Sequence, residues 1–268
     1  MRILFMGSAE LACPSLEALR GTPDFKIVGV VTQPERPRGR SLRRAPCPVC
    51  AHVAQLGIPV LMPEKVNTAA SVAAVRELQP EIIAVVAYGQ ILKREILSLP
   101  PLGCVNLHTS LLPAYRGAAP IQWAIAAGEQ VTGVTTMFMN EGMDAGDIIF
   151  QEQEPIRDED NAATLHDRLA HRGAALLRRT LQAVRAGTAP RQPQDETAVT
   201  FAPRLRKYDG RLAWRLPARD LHNHVRGFQP WPGCYTMLPE PRPCILKVLQ
   251  SAVESVPAGA APGTVLSV

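Results

Sequence analysis

With 268 residues, 46% of them hydrophobic and 20% charged, the chain has the makings of a sizeable core, which excludes a disordered or fibrous protein. At about 100 to 200 residues per domain, the length implies one large domain and a smaller one. The formal charge of +5 is a mild excess whose distribution matters more than its sum, and no apolar run approaches the roughly 18 residues a bilayer span needs.

Residues 2–6 read as a buried strand, so the start of the chain predicts a fold element rather than a targeting leader, and a cytoplasmic protein. A turn at Gly7 and Ser8, a helix over 9–20 and a strand over 25–32 follow. This strand, helix, strand unit implies parallel pairing and a right-handed crossover. The sheet is expected to be Rossmann-like in wiring. Gly7 stands alone, without the Gly-x-Gly-x-x-Gly of a dinucleotide site.

Between Gln33 and Cys47 five arginines, Arg36, Arg38, Arg40, Arg43 and Arg44, meet a single acid, and three prolines with a glycine argue against regular structure. The stretch reads as an exposed basic loop. Guanidinium groups grip phosphates through paired hydrogen bonds, so RNA is the partner such a loop would suit, against the plain alternative of a solvated surface. Cys47 and Cys50 have metal-ligand spacing, but no second Cys or His pair follows, and all six cysteines read as free thiols.

A helix is expected over 47–57, a short strand over 59–62 and a helix over 68–79. Residues 81–87, Glu-Ile-Ile-Ala-Val-Val-Ala, form the continuous apolar run of a strand buried on both faces. It ends at Val86, Tyr88 and Gly89, where an open parallel sheet forms its ligand crevice. The next strand ends on Asn106 and His108, which share a face because strand side chains alternate with period two. Its continuation, Ser110-Leu111-Leu112-Pro113 and then Arg116-Gly117, must leave the sheet as a shaped loop. A helix over 120–127 and strands over 131–139 and 148–154 come next. The two strands predict an antiparallel addition to the sheet, and the loop between them carries Asn140 and places Asp144 between two glycines.

A long helix over 161–186 has Leu165, Leu169, Leu176, Leu177, Leu181 and Val184 on one side. Residues 190–208 read as a linker, which separates a domain over 1–189 from a second over 209–268. The second domain is expected to open on a strand-like piece from Lys207 to Trp214, followed by a helix over 218–227. The Phe228-Gln-Pro-Trp-Pro-Gly233 cluster comes next, then strands over 234–238, 245–252 and 264–268. A small barrel needs about five strands, so this one is expected to be incomplete, naturally short or truncated.

The Asn-x-His strand end, the Ser-Leu-Leu-Pro loop, the Gly-x-Asp-x-Gly loop and the Phe-x-Pro-Trp-Pro cluster together resemble the folate-dependent formyltransferases over nearly the whole chain, those acting on methionyl-tRNA in particular. The resemblance implies a Rossmann-like α/β domain followed by an OB-like domain. The implied activity is formyl transfer from 10-formyltetrahydrofolate to the α-amino group of initiator methionyl-tRNA, by a monomer that uses no metal. It further implies that Asn106, His108 and Asp144 are catalytic. Val86, Tyr88, Ser110, Leu111, Leu112, Pro113 and Asn140 would meet the folate. Arg36, Arg38, Arg40, Arg43, Arg44, Arg116 and Lys207 would meet tRNA, although arginines stand in the basic loop where lysines are common in the family.

Such a transfer needs a neutral attacking amine, stabilisation of the oxygen that turns negative, and a proton for the leaving nitrogen. An α-amino group titrates near 7.7 to 8.0, so enough is neutral at pH 7 without a strong base. Asn106 and a protonated His108 are the expected donors to the oxygen, and Asp144 is expected to hold the histidine and relay protons through water. Other readings are a small-amine acceptor (an amino sugar nucleotide or glycinamide ribotide), water as acceptor, and a non-catalytic RNA-binding module. The last would have no reason to assemble Asn, His and Asp.

Overall fold

The computed structural model describes residues 1–38, 43–238, 244–254 and 260–265. In chain order the elements are β1 (Arg2–Gly7), α1 (Cys13–Arg20), β2 (Lys26–Val31), β3 (Arg36–Arg38), β4 (Arg43–Ala45), α2 (Pro48–Val53), β5 (Val60–Leu61) and α3 (Ala69–Glu77). They continue with β6 (Ile82–Val86), α4 (Arg94–Leu97), β7 (Cys104–His108), β8 (Arg116–Gly117), α5 (Pro120–Ala126), β9 (Val131–Phe138), β10 (Ile148–Pro155) and α6 (Ala162–Arg185). The chain closes with β11 (Phe201–Ala202), α7 (Ala218–Gly227), β12 (Cys234–Leu238) and β13 (Cys244–Val248).

Seven strands make the main sheet in the order β10-β9-β7-β6-β1-β2-β5. The pairs from β7 to β5 are parallel, and β9 and β10 extend the sheet antiparallel beside β7. From β1 the chain runs outward to β2 on one side and returns to β6 on the other. The carboxyl ends of β1 and β6 therefore flank the switch point, where crossovers diverge and leave a crevice.

One face of the sheet packs on α1 and α6 around Ile3, Phe5, Val86, Val105 and Leu107, and the other on a smaller cluster with Leu4, Met6, Val85 and Cys104. Asn161 caps α6 by accepting from the amides of Ala163 and Thr164, and the six apolar residues expected on one side are all buried. Burying each contributes about 2 kcal/mol. Gly173 lets the helix approach Leu107 of β7, where a Cβ would meet the leucine side chain at 2.6 Å.

Two carboxylates, Glu154 and Asp160, lie buried between β10 and α6. Arg168 bonds both, with Nε 2.9 Å from Glu154 Oε1 and a guanidinium nitrogen 2.7 Å from Asp160 Oδ2; Arg172 Nε adds a bond of 2.7 Å to Glu154. Burial pushes each carboxyl pKa up, and the arginine hydrogen bonds outweigh it, so both are held below the usual range. A folded-state pKa below the unfolded one contributes stability above the unfolded value, near 4, and loses it as pH falls through the folded value. Arg168→Ala strands two buried charges. We expect a loss of about 3 kcal/mol in urea unfolding at pH 7 and an acid transition moved to higher pH.

Several expectations are corrected. The basic segment does not lack regular structure: β3 and β4 pair antiparallel as a ribbon, which tolerates Pro37 because both of its strands are edges. Lys207 and its neighbours form a 3₁₀ turn over Lys207–Gly210, not a strand, because the Asp209 carboxylate accepts the Arg206 amide at 2.6 Å and closes the turn. The 190–208 segment is not a free connection. Its β11 pairs with β8, and Gln192 bridges Ile148. Among the described residues the C-terminal strands are the antiparallel pair β12 and β13; Thr264 and Val265 are not in a strand, and 266–268 lie outside the described residues.

Candidate active site

A cavity of about 410 Å³ opens at the carboxyl ends of β6 and β7, beside the switch point. Cys104, Asn106 and His108 lie on one face of β7, with Val105 and Leu107 in the core behind. Cys104 meets apolar packing, whereas Asn106 and His108, buried to 9% and 6% exposure, reach the cavity at the strand's end. Asn106 pairs with Val85 and Met137 in the strands on either side, and this pairing fixes its height in the sheet.

Asp144 arrives from the loop between β9 and β10. Its backbone is left-handed at φ 50°, and a Cβ on Gly146 would coincide with the Phe138 carbonyl, so the second flanking glycine is required by close approach. One carboxylate oxygen, Oδ2, accepts the Gly117 amide at 2.8 Å and stands 3.7 Å from His108 Nδ1. The other, Oδ1, lies 3.5 Å from the Asn106 amide nitrogen. The three expected catalytic side chains thus converge on one wall.

His108 Nε2 lies 2.9 Å from the Tyr115 carbonyl, which can only accept, so that nitrogen carries a hydrogen. Nδ1 is the ring nitrogen that faces Asp144. Of the four non-glycine residues with positive φ among those described, Ala87 and Asp144 line the cavity and Tyr115 meets His108 through its carbonyl. Such strained backbone is tolerated where surrounding bonds over-determine it.

Apolar walls at Val85, Leu92 and Met139, bordered by the turn at Ala87, Tyr88 and Gly89, fit a flat aromatic ring. Tyr88 borders the cavity, but its ring packs in the core; burial pushes the phenol up to about 12, and its carbonyl accepts from Ser8 and Gln33. Asn140 borders the cavity and also shapes the loop, accepting the Gly142 amide and donating to the Ala145 carbonyl.

Other expected positions fall elsewhere. Val86 faces the opposite side of the sheet, in the α6 core; its neighbour Val85 faces the cavity, a one-residue difference that period-two alternation turns into a change of face. Ser110, Leu111, Leu112 and Pro113 do not line the cavity. Ser110 is fully buried and donates to the Ala114 carbonyl, and Leu112 packs on Met137 and Ile148 while its amide donates to Thr135. The loop is a strut beneath the site.

Arg116 is corrected as an RNA contact. It is 5% exposed, and its guanidinium is held by Gln194 and Glu196. Gln194 in turn donates to the carbonyls of Asp144 and Gly146, both at 2.8 Å. This positioning residue was missed because it sits in a segment whose composition reads as linker, and nothing local marks it. Lys207 is exposed. Arg40 lies outside the described residues, as do the side chains of Arg36, Arg38, Arg43 and Arg44.

Comparison with known proteins places the chain among its relatives. Residues 1–181 match a family model described as formyl transferase, and residues 204–268 match one described as formyl transferase, C-terminal domain. The methionyl-tRNA formyltransferase of Desulforamulus reducens is 48% identical over 272 residues, covering 100% of this chain and 84% of the relative. That of Moorella thermoacetica is 50% identical over 237 residues, covering 88% and 76%. Among solved structures, a sugar N-formyltransferase from Shewanella sp. aligns with a TM-score of 0.67 at 19% identity, over 95% of this chain and 99% of that one. An N-formyltransferase from Helicobacter canadensis, solved with folinic acid and dTDP-3-aminofucose, aligns with a TM-score of 0.64 at 21% identity, over 84% and 80%.

Proposed function

This chain belongs to the formyl transferase family, and from that membership and the convergent Asn, His and Asp we propose how it works. It transfers the formyl group of 10-formyltetrahydrofolate to the α-amino group of methionyl-tRNA. The observation that carries the catalytic reading is the meeting of Asn106, His108 and Asp144 at the mouth of one cavity.

The folate would be held by Val85, Leu92 and Met139 and by main-chain groups after β6, and it supplies the formyl carbon under attack. The Asn106 amide donates to the formyl oxygen as it becomes negative. His108, anchored through Nε2, presents Nδ1 to the same region and to Asp144. Asp144 accepts from Gly117, faces both partners and exchanges protons with water at the leaving nitrogen. The geometry favours donation and proton relay over a covalent route.

Domains over 1–189 and 209–268 joined by 190–208, a monomer and a cytoplasmic location complete the reading. The arginine-rich ribbon and Lys207 are assigned to tRNA. Incubation with 10-formyltetrahydrofolate and methionyl-tRNA, uncharged tRNA, glycinamide ribotide or an amino sugar nucleotide tests this assignment of the acceptor. Formyl should appear on methionyl-tRNA alone. Replacing Arg36, Arg38, Arg40, Arg43 and Arg44 by serine should flatten the salt dependence of tRNA affinity by about 0.7 to 0.9 in log–log slope for every phosphate that is no longer neutralised. An unchanged slope removes the ribbon from the interface.

A further inference from the structure

The α-amino group that reacts belongs to a methionine whose carboxyl is esterified to the last nucleotide of the tRNA, so the preceding unpaired nucleotides must leave the catalytic cavity along some surface. The structure has a path of suitable chemistry. The catalytic cavity shares Ala87, Tyr88, Gly89 and Ala118 with a second cavity beyond the ends of β1 and β2, whose far wall carries Arg204. Arg204 also borders a third hollow, a groove of about 690 Å³ between Trp123, Tyr208 and Trp231. Successive spaces thus share wall residues, with Arg204 common to the second and third.

The groove is built unlike an ordinary surface. Tyr208 is 61% exposed and Trp231 52%, two large aromatic side chains that line the same groove. Trp123 forms the floor, its indole fixed by a bond of 2.8 Å from Nε1 to the Pro203 carbonyl and by an edge contact with Phe228. Arg206 stands over the Tyr208 ring at 5.7 Å and donates to its hydroxyl, and no acid pairs with Arg204 among the described residues. The one acid in the groove, Asp209, is occupied by the Arg206 amide. Exposed rings beside cations are the elements of a platform for unpaired bases, which stack on any aromatic face whatever their sequence.

We propose that Tyr208 and Trp231 stack the unpaired bases that precede the terminal nucleotide of the acceptor strand, while Arg204 guides the backbone from the groove toward the catalytic cavity. This rests on methionyl-tRNA being the acceptor, and it assigns the linker and the Phe-x-Pro-Trp-Pro element a part in binding the substrate.

The test compares two acceptors, methionyl-tRNA and 2′(3′)-O-methionyladenosine, which is too short to reach the groove. In Trp231→Ala and Tyr208→Ala the ratio of kcat/KM for tRNA to that for methionyladenosine should fall at least about fivefold each, through KM, and Trp231→Phe and Tyr208→Phe should restore it. In parallel, a single-stranded RNA with the sequence of the tRNA 3′ end should quench the tryptophan fluorescence of the unaltered chain, and the quench should shrink in Trp231→Phe. An unchanged ratio with no quench overturns the platform and leaves the formyl transfer reading intact. RNA-dependent quenching in a chain that cannot formylate methionyl-tRNA supports the platform and removes the acceptor assignment.

Discussion

Asp144→Ala is expected to lower kcat by about a thousandfold or more at saturating folate and methionyl-tRNA, with kcat/KM falling in parallel. One carboxylate serves three partners: the Gly117 amide at 2.8 Å, Asn106 at 3.5 Å and His108 Nδ1 at 3.7 Å. Removing it loses the charge facing the imidazole and frees the Asn106 amide to rotate. A protease precedent for losing the carboxylate behind a catalytic histidine is a drop of about 10⁴ in kcat. Asp144→Asn separates shape from charge, because its amide oxygen can still accept from Gly117 but cannot balance an imidazolium; it should remain severely impaired. Asp147→Asn is the control, since Asp147 points away to Arg191. Steady-state kinetics with a folate-binding measurement checks all three. A rate within tenfold of the unaltered chain in Asp144→Ala would remove Asp144 from the mechanism.

Asn106→Ala should cost about 3 to 4 kcal/mol of barrier, or two to three orders of magnitude in kcat, by analogy with the loss of one oxyanion donor in a protease. The donor is preorganised. Its strand is held between β6 and β9, and its amide nitrogen is turned toward Asp144 Oδ1 rather than left free to solvent. A group that acts on charge developing only in the transition state affects kcat and leaves ground-state binding alone. Folate affinity should therefore change less than threefold while turnover collapses. Equal losses in folate affinity and rate would show that Asn106 is a binding residue.

Much of the fold was legible because its signals are local. The apolar run over 81–87 and the alternation ending at Asn106 and His108 gave β6 and β7, and the helical spacing from Leu165 to Val184 gave α6. The basic ribbon was not, because three prolines and a glycine argue against strands one residue at a time, whereas pairing is a property of two segments. That Ser110–Pro113 lie outside the cavity lining was not legible for a related reason. A loop that follows a reactive strand end can close over a ligand or brace the site from beneath, and here Thr135 and Gln151 tie it down.

The amino-acid sequence alone determined the local placement of the side chains proposed to carry the chemistry. Asn106 and His108 lie two apart on a strand, and Asp144 sits between glycines, because residue type and local period dictate these things before any distant contact forms. Tertiary structure alone decided what holds them. Gln194 reaches back fifty residues to the Asp144 carbonyl, Arg116 is turned inward by Gln194 and Glu196, and the Gly117 amide meets the carboxylate. Each of these bonds joins segments remote in the chain, and the partner of a polar group is chosen by which other segment the completed sheet brings within hydrogen-bond reach.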